Sequence, residues 1–440
     1  MNTKSALGLV FMLCGLGLVG WGGWHGWTQP RAGLSPLTGP ASAGAPVTLR
    51  PSPTASPTPP PPPPTATATP TATQSPTRSP SRTPTATPAW RGEPIVPVVQ
   101  PTSRPATAEP GSPGALRPTP TPRGPAPPLA PPPAPLAPRQ RFGIGVPQPP
   151  LTAQTVQALG VGWYLTWQVN ETPPPLPGVE FWQMIRVQES GFRPEAATIQ
   201  RAAQANPGST WLIGNEPDVR WQDNVTPEQY ARWYQQLYHL IKASDPTAQV
   251  GIGGVTQPTP LRLAYLERVL AAYQAEFGQT LPVEVWNIHN FILPEQRSDW
   301  GVDIPPGFEG ESGARYEMAQ HDDLAIFQAQ IIAFRRWLAE RGWQNKPVVV
   351  SEYGLLMPAD YGFPPERVAR FMQGSYDFML TATDPQLGYP ADGYRLVQRW
   401  CWFSLADHVY PTGNLILPDG SLTPVGLAHR DYVTSISPSN

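Results

Sequence analysis

Two cysteines in 440 residues, Cys14 and Cys401, set the first limit on this chain. Cys14 lies in an apolar N-terminal run and Cys401 near the far end. No intradomain disulfide is therefore available, and the folded part has to rest on a core. The sequence also has no HExxH, no Cys/His cluster, no EF-hand loop and no phosphate-binding loop, so it implies no cofactor and no metal. The stretch Gly15–Gly20 (GLGLVG) formally spells GxGxxG, but no strand precedes it and no βαβ helix follows. Ser351 lacks the GxSxG elbow of a serine hydrolase. Charge is scarce, at 14% of residues, and lopsided. The first 140 residues hold 10 of the 30 Lys and Arg but 2 of the 32 Asp and Glu, leaving 20 basic and 30 acidic groups in residues 141–440. An acidic globule is a poor partner for nucleic acid, and that class is set aside.

Proline is abundant instead, with 63 residues, most of them before residue 141. Residues 1–29 carry one lysine, Lys4, and an apolar run from about Ala6 to Trp24 that ends in GWGGWHGW. A run of about 20 residues can span a bilayer, and tryptophans suit its interface. An uncleaved anchor is expected in preference to a removed signal peptide. Lipoprotein processing at Cys14 is disfavoured by the bulky Phe11-Met12-Leu13 before it. Residues 30–140 are Pro, Thr, Ser and Ala with few large apolar side chains, too few to offset the entropy of ordering. They are expected to form an extended spacer of about 3.1 Å per residue, on the order of 300 Å if fully stretched. The anchor and spacer together place the rest outside the cell membrane, tethered or secreted, with the membrane as partner through the N-terminal segment. Nothing in the sequence fixes an oligomeric state.

Residues 141–440 alternate between short apolar runs and amphipathic stretches. Expected strands are 142–146, 162–167, 181–187, 211–214, 250–255, 283–291, 347–353 and 399–405. Expected helices include 194–205, 227–243, 261–277 and 319–341, with Thr226 capping the second of these and Pro227 opening it. Eight strands alternating with helices fit an α/β fold of the (β/α)8, or TIM barrel, kind better than a doubly wound sheet. Such barrels carry their chemistry at the C-terminal strand tips. Those tips hold Asn215 and Glu216 on the fourth strand, His289 and Asn290 on the sixth, Glu352 and Tyr353 on the seventh, and Trp402 to Ser404 on the eighth. Two glutamates thus face one mouth, and a pair of carboxyls is what glycosidic cleavage requires, one as acid and the other as nucleophile or base. Read as structural residues instead, Glu216 caps a turn and Glu352 pairs with Arg186.

The motifs GNEPD after the fourth strand and VVVSEYG near the seventh resemble those of clan A glycoside hydrolases, retaining enzymes on this barrel. More narrowly, GWYLTW, VEFWQMIRV, WLIGNEPD and WNIHNF resemble segments of the Asl1-like glycosyl hydrolase core, family 128, whose members are β-1,3-glucanases. The tail LPDGSLTPVGLAHRDYV resembles those that close many clan A barrels, while the proline of the narrower family's third strand is absent at Trp182-Gln183-Met184. The resemblance implies that Glu216 is the acid/base, that Glu352 is the nucleophile and that Asn215 bonds the sugar 2-hydroxyl. It further implies that His289 orients the nucleophile and that Trp402 stacks under the sugar. Tyr353 is a further expected sugar contact, Trp163 and Tyr164 are further candidate platforms, and Trp400 is expected in the core. Glu352 should be ionised and Glu216 protonated at working pH. The long connection 292–320 is expected at the mouth, with Trp300, Phe308 and Tyr316 walling a polysaccharide cleft. The alternative is a non-catalytic surface protein that holds a glycan on the same aromatics.

Overall fold

The segment Phe142–Gly145 alternates a large side chain with none, and the barrel is built around that alternation. A Cβ on Gly143 would sit 2.2 Å from the Trp163 ring, and one on Gly145 would sit 2.8 Å from the Trp167 ring. Glycine on the inner face of the first strand therefore makes room for two indoles inside the barrel, while Phe142 and Ile144 point outward into the helix layer. The computed structural model describes residues 136–148 and 150–436. The anchor of residues 1–29 and nearly all of the 30–140 spacer lie outside the described residues. No helix among the described residues is long and apolar enough to cross a membrane.

Eight parallel strands form the wall: β1 (Phe142–Gly145), β2 (Trp163–Leu165), β3 (Glu180–Gln188), β4 (Thr210–Ile213), β5 (Gln249–Ile252), β6 (Trp286–His289), β7 (Val348–Tyr353) and β8 (Arg399–Trp402). Their pairing runs in the order β5, β4, β3, β2, β1, β8, β7, β6. Two single bridges, Gly251 to Val285 and Val255 to Ile288, join β5 to β6 and close the ring. This is the expected barrel, and each strand falls within a few residues of its expected place.

The helical layer is less regular. Helices α1 (Ala153–Leu159), α2 (Ala196–Ala205), α3 (Pro227–Ser244), α4 (Pro260–Phe277), α5 (Leu324–Ala339), α6 (Pro365–Thr381) and α7 (Pro424–Ile436) cover the wall. No helix joins β2 to β3, because residues 166–179 include Pro173, Pro174, Pro175 and Pro177, which cannot supply a helical hydrogen-bond ladder. Beyond β3 the chain folds back as a short antiparallel strand, Gly191–Arg193, which the sequence reading did not anticipate. Helix α3 begins as expected: the Thr226 hydroxyl accepts from Gln229 N and Gln229 reciprocates, a capping box ahead of Pro227. Helix α5 is shorter than expected because Asp323 accepts from the amides of Ala325 and Ile326 and so fixes its first turn.

Two apolar layers result. Inside the ring, Trp163, Leu165, Trp182, Met184, Leu212, Val285, Val349 and Cys401 pack together, with Trp163 and Trp182 stacked at 4.1 Å. Between ring and helices lies the larger core, including Trp211, Trp286, Trp400, Trp402 and Tyr353. The interior plug sits toward the strand N-termini. The Trp167 ring packs on this cluster from the mouth side.

Candidate active site

Four strand tips supply the site. The run Thr210–Ile213 ends in Gly214, after which Asn215 and Glu216 turn across the mouth with Glu216 at φ +44°. A non-glycine residue in this left-handed region costs about 1 kcal/mol or more, and such strain persists only where neighbours hold it. Here Glu216 N donates to Gly254 O at 3.0 Å. A Cβ on Gly254 would lie 2.5 Å from the His289 ring, so the glycine lets β6 bring its histidine up against the Glu216 turn.

Glu216, His289 and Glu352 meet as a trio. One oxygen of each carboxylate and a ring nitrogen of His289 all lie within 4.8 Å of one another. His289 Nδ1 is 2.9 Å from Glu216 Oε1, and its Nε2 is 3.8 Å from Glu352 Oε2. The Trp167 indole N–H donates to Glu352 Oε2 at 2.9 Å. His289 thus stands between the two carboxylates, and its hydrogen bond is to Glu216. The resemblance assigned it to orienting the nucleophile; in the structure the imidazole is oriented by the acid/base candidate, with Trp167 the direct partner of Glu352. Three such groups could also ligate a cation, but the engaged Nδ1 makes proton traffic the better description of this arrangement.

Charge is finely balanced here. Burial, reinforced by the Glu216 charge, raises Glu352 to about 7, against the opposing pull of His289, the Trp167 N–H and Arg186. Burial works against the imidazolium of His289, yet Glu352 and the hydrogen-bonded Glu216 outweigh it and lift His289 above its ordinary value. The expectation of a freely ionised Glu352 therefore needs correction: two like charges this close resist joint ionisation, and Glu352 retains a proton until near neutrality. Arg186 is not its ion-pair partner, because Arg186 Nε donates instead to Asp223 Oδ1 at 2.6 Å. Asp223 also accepts from Asn215 N at 2.7 Å and so fixes the asparagine beside the acid. Asn215 Oδ1 is buried without a protein partner, and Nδ2 lies 3.4 Å from Gln222 Oε1.

Three expected sugar contacts are not in the site. Trp402 is fully buried against the helices, with its indole N–H donating to Gly413 O and its ring edge-on to Tyr353. Tyr353 points the same way, its hydroxyl 3.0 Å from Ser375 Oγ on α6. Trp163 is sealed inside the barrel against Trp182. The neighbouring candidate Tyr164 is also buried, against Phe181 in the outer core. Trp400, expected in the core, is there. A bulge explains the tyrosine: Val350 pairs with Trp400 but Tyr353 with Trp402, so three steps on β7 oppose two on β8. Strict alternation would send Tyr353 inward and Glu352 outward; the extra residue reverses both. Just past β8 the aromatic next to the site is Phe403, whose ring lies 5.9 Å from Trp167. We expect Trp402→Phe to lower stability by about 1–2 kcal/mol through the lost hydrogen bond and packing, while KM stays within about twofold. A Tm scan paired with saturation kinetics checks it.

Trp167 was the residue missed. It shares the inward parity of Trp163 and Leu165 and ends the expected strand 162–167, so period-2 reading of GWYLTW already places it at the mouth. The connection 292–320 is ordered against α4 and α5. Phe308 packs on Tyr265 and beneath Arg268 of α4, and the Tyr316 hydroxyl accepts from Gln330 of α5. These two rings dock on the outer helices and do not wall a cleft. Trp300 is half-buried against the core.

Residues 147–296 match a family model described as glycosyl hydrolase catalytic core. That span contains Asn215, Glu216 and His289 and stops before Glu352. No curated protein sequence matches the chain. Among solved structures, the chain is similar to the subgroup I family 128 endo-β-1,3-glucanase of Amycolatopsis mediterranei at 20% identity, covering 67% of this chain and 100% of that one, with a TM-score of 0.46. It is similar also to the subgroup II endo-β-1,3-glucanase of Sorangium cellulosum (16% identity, 68% and 99% coverage, TM-score 0.45). A third is the curdlan-specific exo-β-1,3-glucanase of Blastomyces gilchristii (18%, 66% and 97%, 0.43). The barrel, its carboxylate pair and the matched segment define a glycosidase-type catalytic core. The matched model is described only as a glycosyl hydrolase catalytic core, and no clan-level assignment follows from it.

Proposed function

We propose that the chain is a retaining glycoside hydrolase acting on a β-linked polysaccharide, with Glu352 as nucleophile and Glu216 as acid/base. The observation that carries this is the carboxylate separation: oxygens of Glu216 and Glu352 approach within 4.8 Å. Direct attack with retention uses carboxyls about 5–5.5 Å apart, whereas inversion needs about 6.5–9.5 Å to admit a water. Glu352 attacks the anomeric carbon as Glu216 protonates the leaving oxygen. Once the glycosyl bond has consumed the Glu352 charge, Glu216 takes a proton from water as the water oxygen attacks the anomeric carbon, the bond to Glu352 breaks, and the sugar leaves with Glu352 restored as a carboxylate. Asn215 Oδ1, without a partner in the protein, suits a sugar 2-hydroxyl beside Glu216. The imidazole of His289, bridging the two acids, steadies their charge as it moves. Trp167 and Phe403 supply aromatic surface beside Glu352.

The sequence resemblance to family 128 makes β-1,3-glucan the first substrate to test. Full-length protein incubated with β-1,3-, β-1,4- and mixed-linkage glucans is expected to release reducing ends from the β-1,3 polymer, with the β-anomer appearing first by proton NMR. Initial α-anomer sinks the retaining assignment, and binding to a glucan with no product on any favours the non-catalytic glycan-binding alternative. The apolar run Ala6–Trp24 and the proline-rich spacer support placement on the outer face of the cell membrane, which fractionation of the intact chain tests.

A further inference from the structure

A single buried guanidinium grips the turn that carries Glu216. Arg262, on the first turn of α4, is fully buried, as is Asp218 two residues after Glu216. Arg262 Nη1 donates to the Asp218 carbonyl and lies 3.2 Å from Asp218 Oδ2, gripping backbone and side chain of one residue together. Asp218 Oδ2 accepts in addition from Thr256 N at 3.3 Å, two residues past Gly254, whose carbonyl receives the Glu216 amide. The turn is thereby fastened to the β5 end at both flanks of Pro217.

The rest of the guanidinium reaches elsewhere. Nε donates to Glu295 Oε1 at 3.0 Å, while Nη2 donates to the carbonyls of Val302 at 3.0 Å and Asp303 at 2.6 Å. Glu295 is itself held by the Thr259 hydroxyl at 2.5 Å and Ala314 N at 2.7 Å. All three nitrogens of Arg262 are thus occupied, one on the Glu216 turn and two on the connection after β6. We propose that Arg262, acting through Asp218, is a positioning residue for Glu216 and joins the acid's turn to the 293–303 segment as one unit. A lysine keeps the charge but offers a single ammonium in place of the planar fork, and cannot span both segments. The catalytic consequence rests on the glycosidase reading of Glu216; the mechanical one does not.

The test compares wild type with Arg262→Lys and Asp218→Asn in the full chain, by hydrogen exchange and by hydrolysis of two aryl β-laminaribiosides. A phenyl leaving group needs the acid's proton and a 2,4-dinitrophenyl group does not, so misplacing Glu216 separates them. In both variants the amides of 216–219 and 293–303 are expected to exchange faster together, while β4 keeps its protection. The phenyl glycoside is expected to lose about 100-fold in kcat/KM and the dinitrophenyl glycoside less than about fivefold, within the usual span of acid catalysis. Equal losses on both glycosides, or faster exchange in one segment alone, overturn the proposal. A structural defect lowers both activities alike. If wild type cleaves neither glycoside, the glycosidase reading falls, and exchange alone then decides the coupling. Should Asp218→Asn fail to fold, Arg262→Lys carries the same comparison.

Discussion

Replacing Glu352 by glutamine is expected to remove turnover and, at alkaline pH, to make the protein more stable. The first effect follows from its place as nucleophile: an amide cannot form the glycosyl intermediate. The loss in kcat/KM should be about 10⁴-fold or more, roughly 5.5 kcal/mol at 1.36 kcal/mol per tenfold. The second follows from the same burial that raises Glu352 to about 7. Between the ordinary value of 4.5 and about 7 the folded state holds a proton that the unfolded state has released, so stability falls as pH rises through that window. Glutamine mimics the neutral acid and escapes this cost. The variant should match wild type near pH 4 and exceed it at pH 8 by on the order of 2 kcal/mol, a few °C in Tm. Thermal melts at the two pH values check the sign; a variant less stable than wild type at pH 8 shows that the carboxylate is well accommodated in its charged form. In wild type with a dinitrophenyl glycoside, which needs no proton from Glu216, the same titration predicts an acid limb in kcat/KM with its midpoint near 7, since only ionised Glu352 attacks.

Much of this site was legible in the chain, and the parts that were not share a cause. Strand tips at Asn215–Glu216, His289 and Glu352 follow from where apolar runs stop, and the barrel brings them together. Which face a side chain takes depends on unbroken alternation, and β7 breaks it. Val348, Val349 and Val350 alternate as read, but the bulge before Tyr353 turns that tyrosine out to Ser375 and Glu352 in to Trp167. Trp402 was misplaced differently: it shares the outward face of Trp400, and the inward aromatic is one residue later at Phe403. The buried Arg262 was invisible because its partners are spread over residues 218, 295, 302 and 303, separations that no local pattern encodes. Likewise the partner of Arg186 proved to be Asp223, in the turn that also holds Asn215, and not the distant glutamate.

Removing the other carboxylate should alter the pH profile as much as the rate. Glu216→Ala takes away the acid, so glycosides with poor leaving groups should lose about 10²–10⁴-fold in kcat/KM, while 2,4-dinitrophenyl glycosides, which depart unprotonated, react at first nearly as in wild type. Deglycosylation then becomes limiting because no base activates water, and a small anion such as azide should restore turnover by entering the space the side chain leaves. The electrostatic consequence is separate from the chemical one. The Glu216 charge is among the causes that hold Glu352 high, and His289 is one of the groups that hold it down. Alanine removes the first and frees His289 Nδ1 from its 2.9 Å partner, leaving the imidazole to Glu352 alone. The acid limb measured with the dinitrophenyl substrate should accordingly move downward from about 7 toward the ordinary carboxylate range. Should the acid limb stay at about 7, Glu352 is raised by burial alone and the two carboxylates do not act as an electrostatic pair. If that limb falls while the leaving-group dependence stays flat, proton donation belongs to a residue other than Glu216.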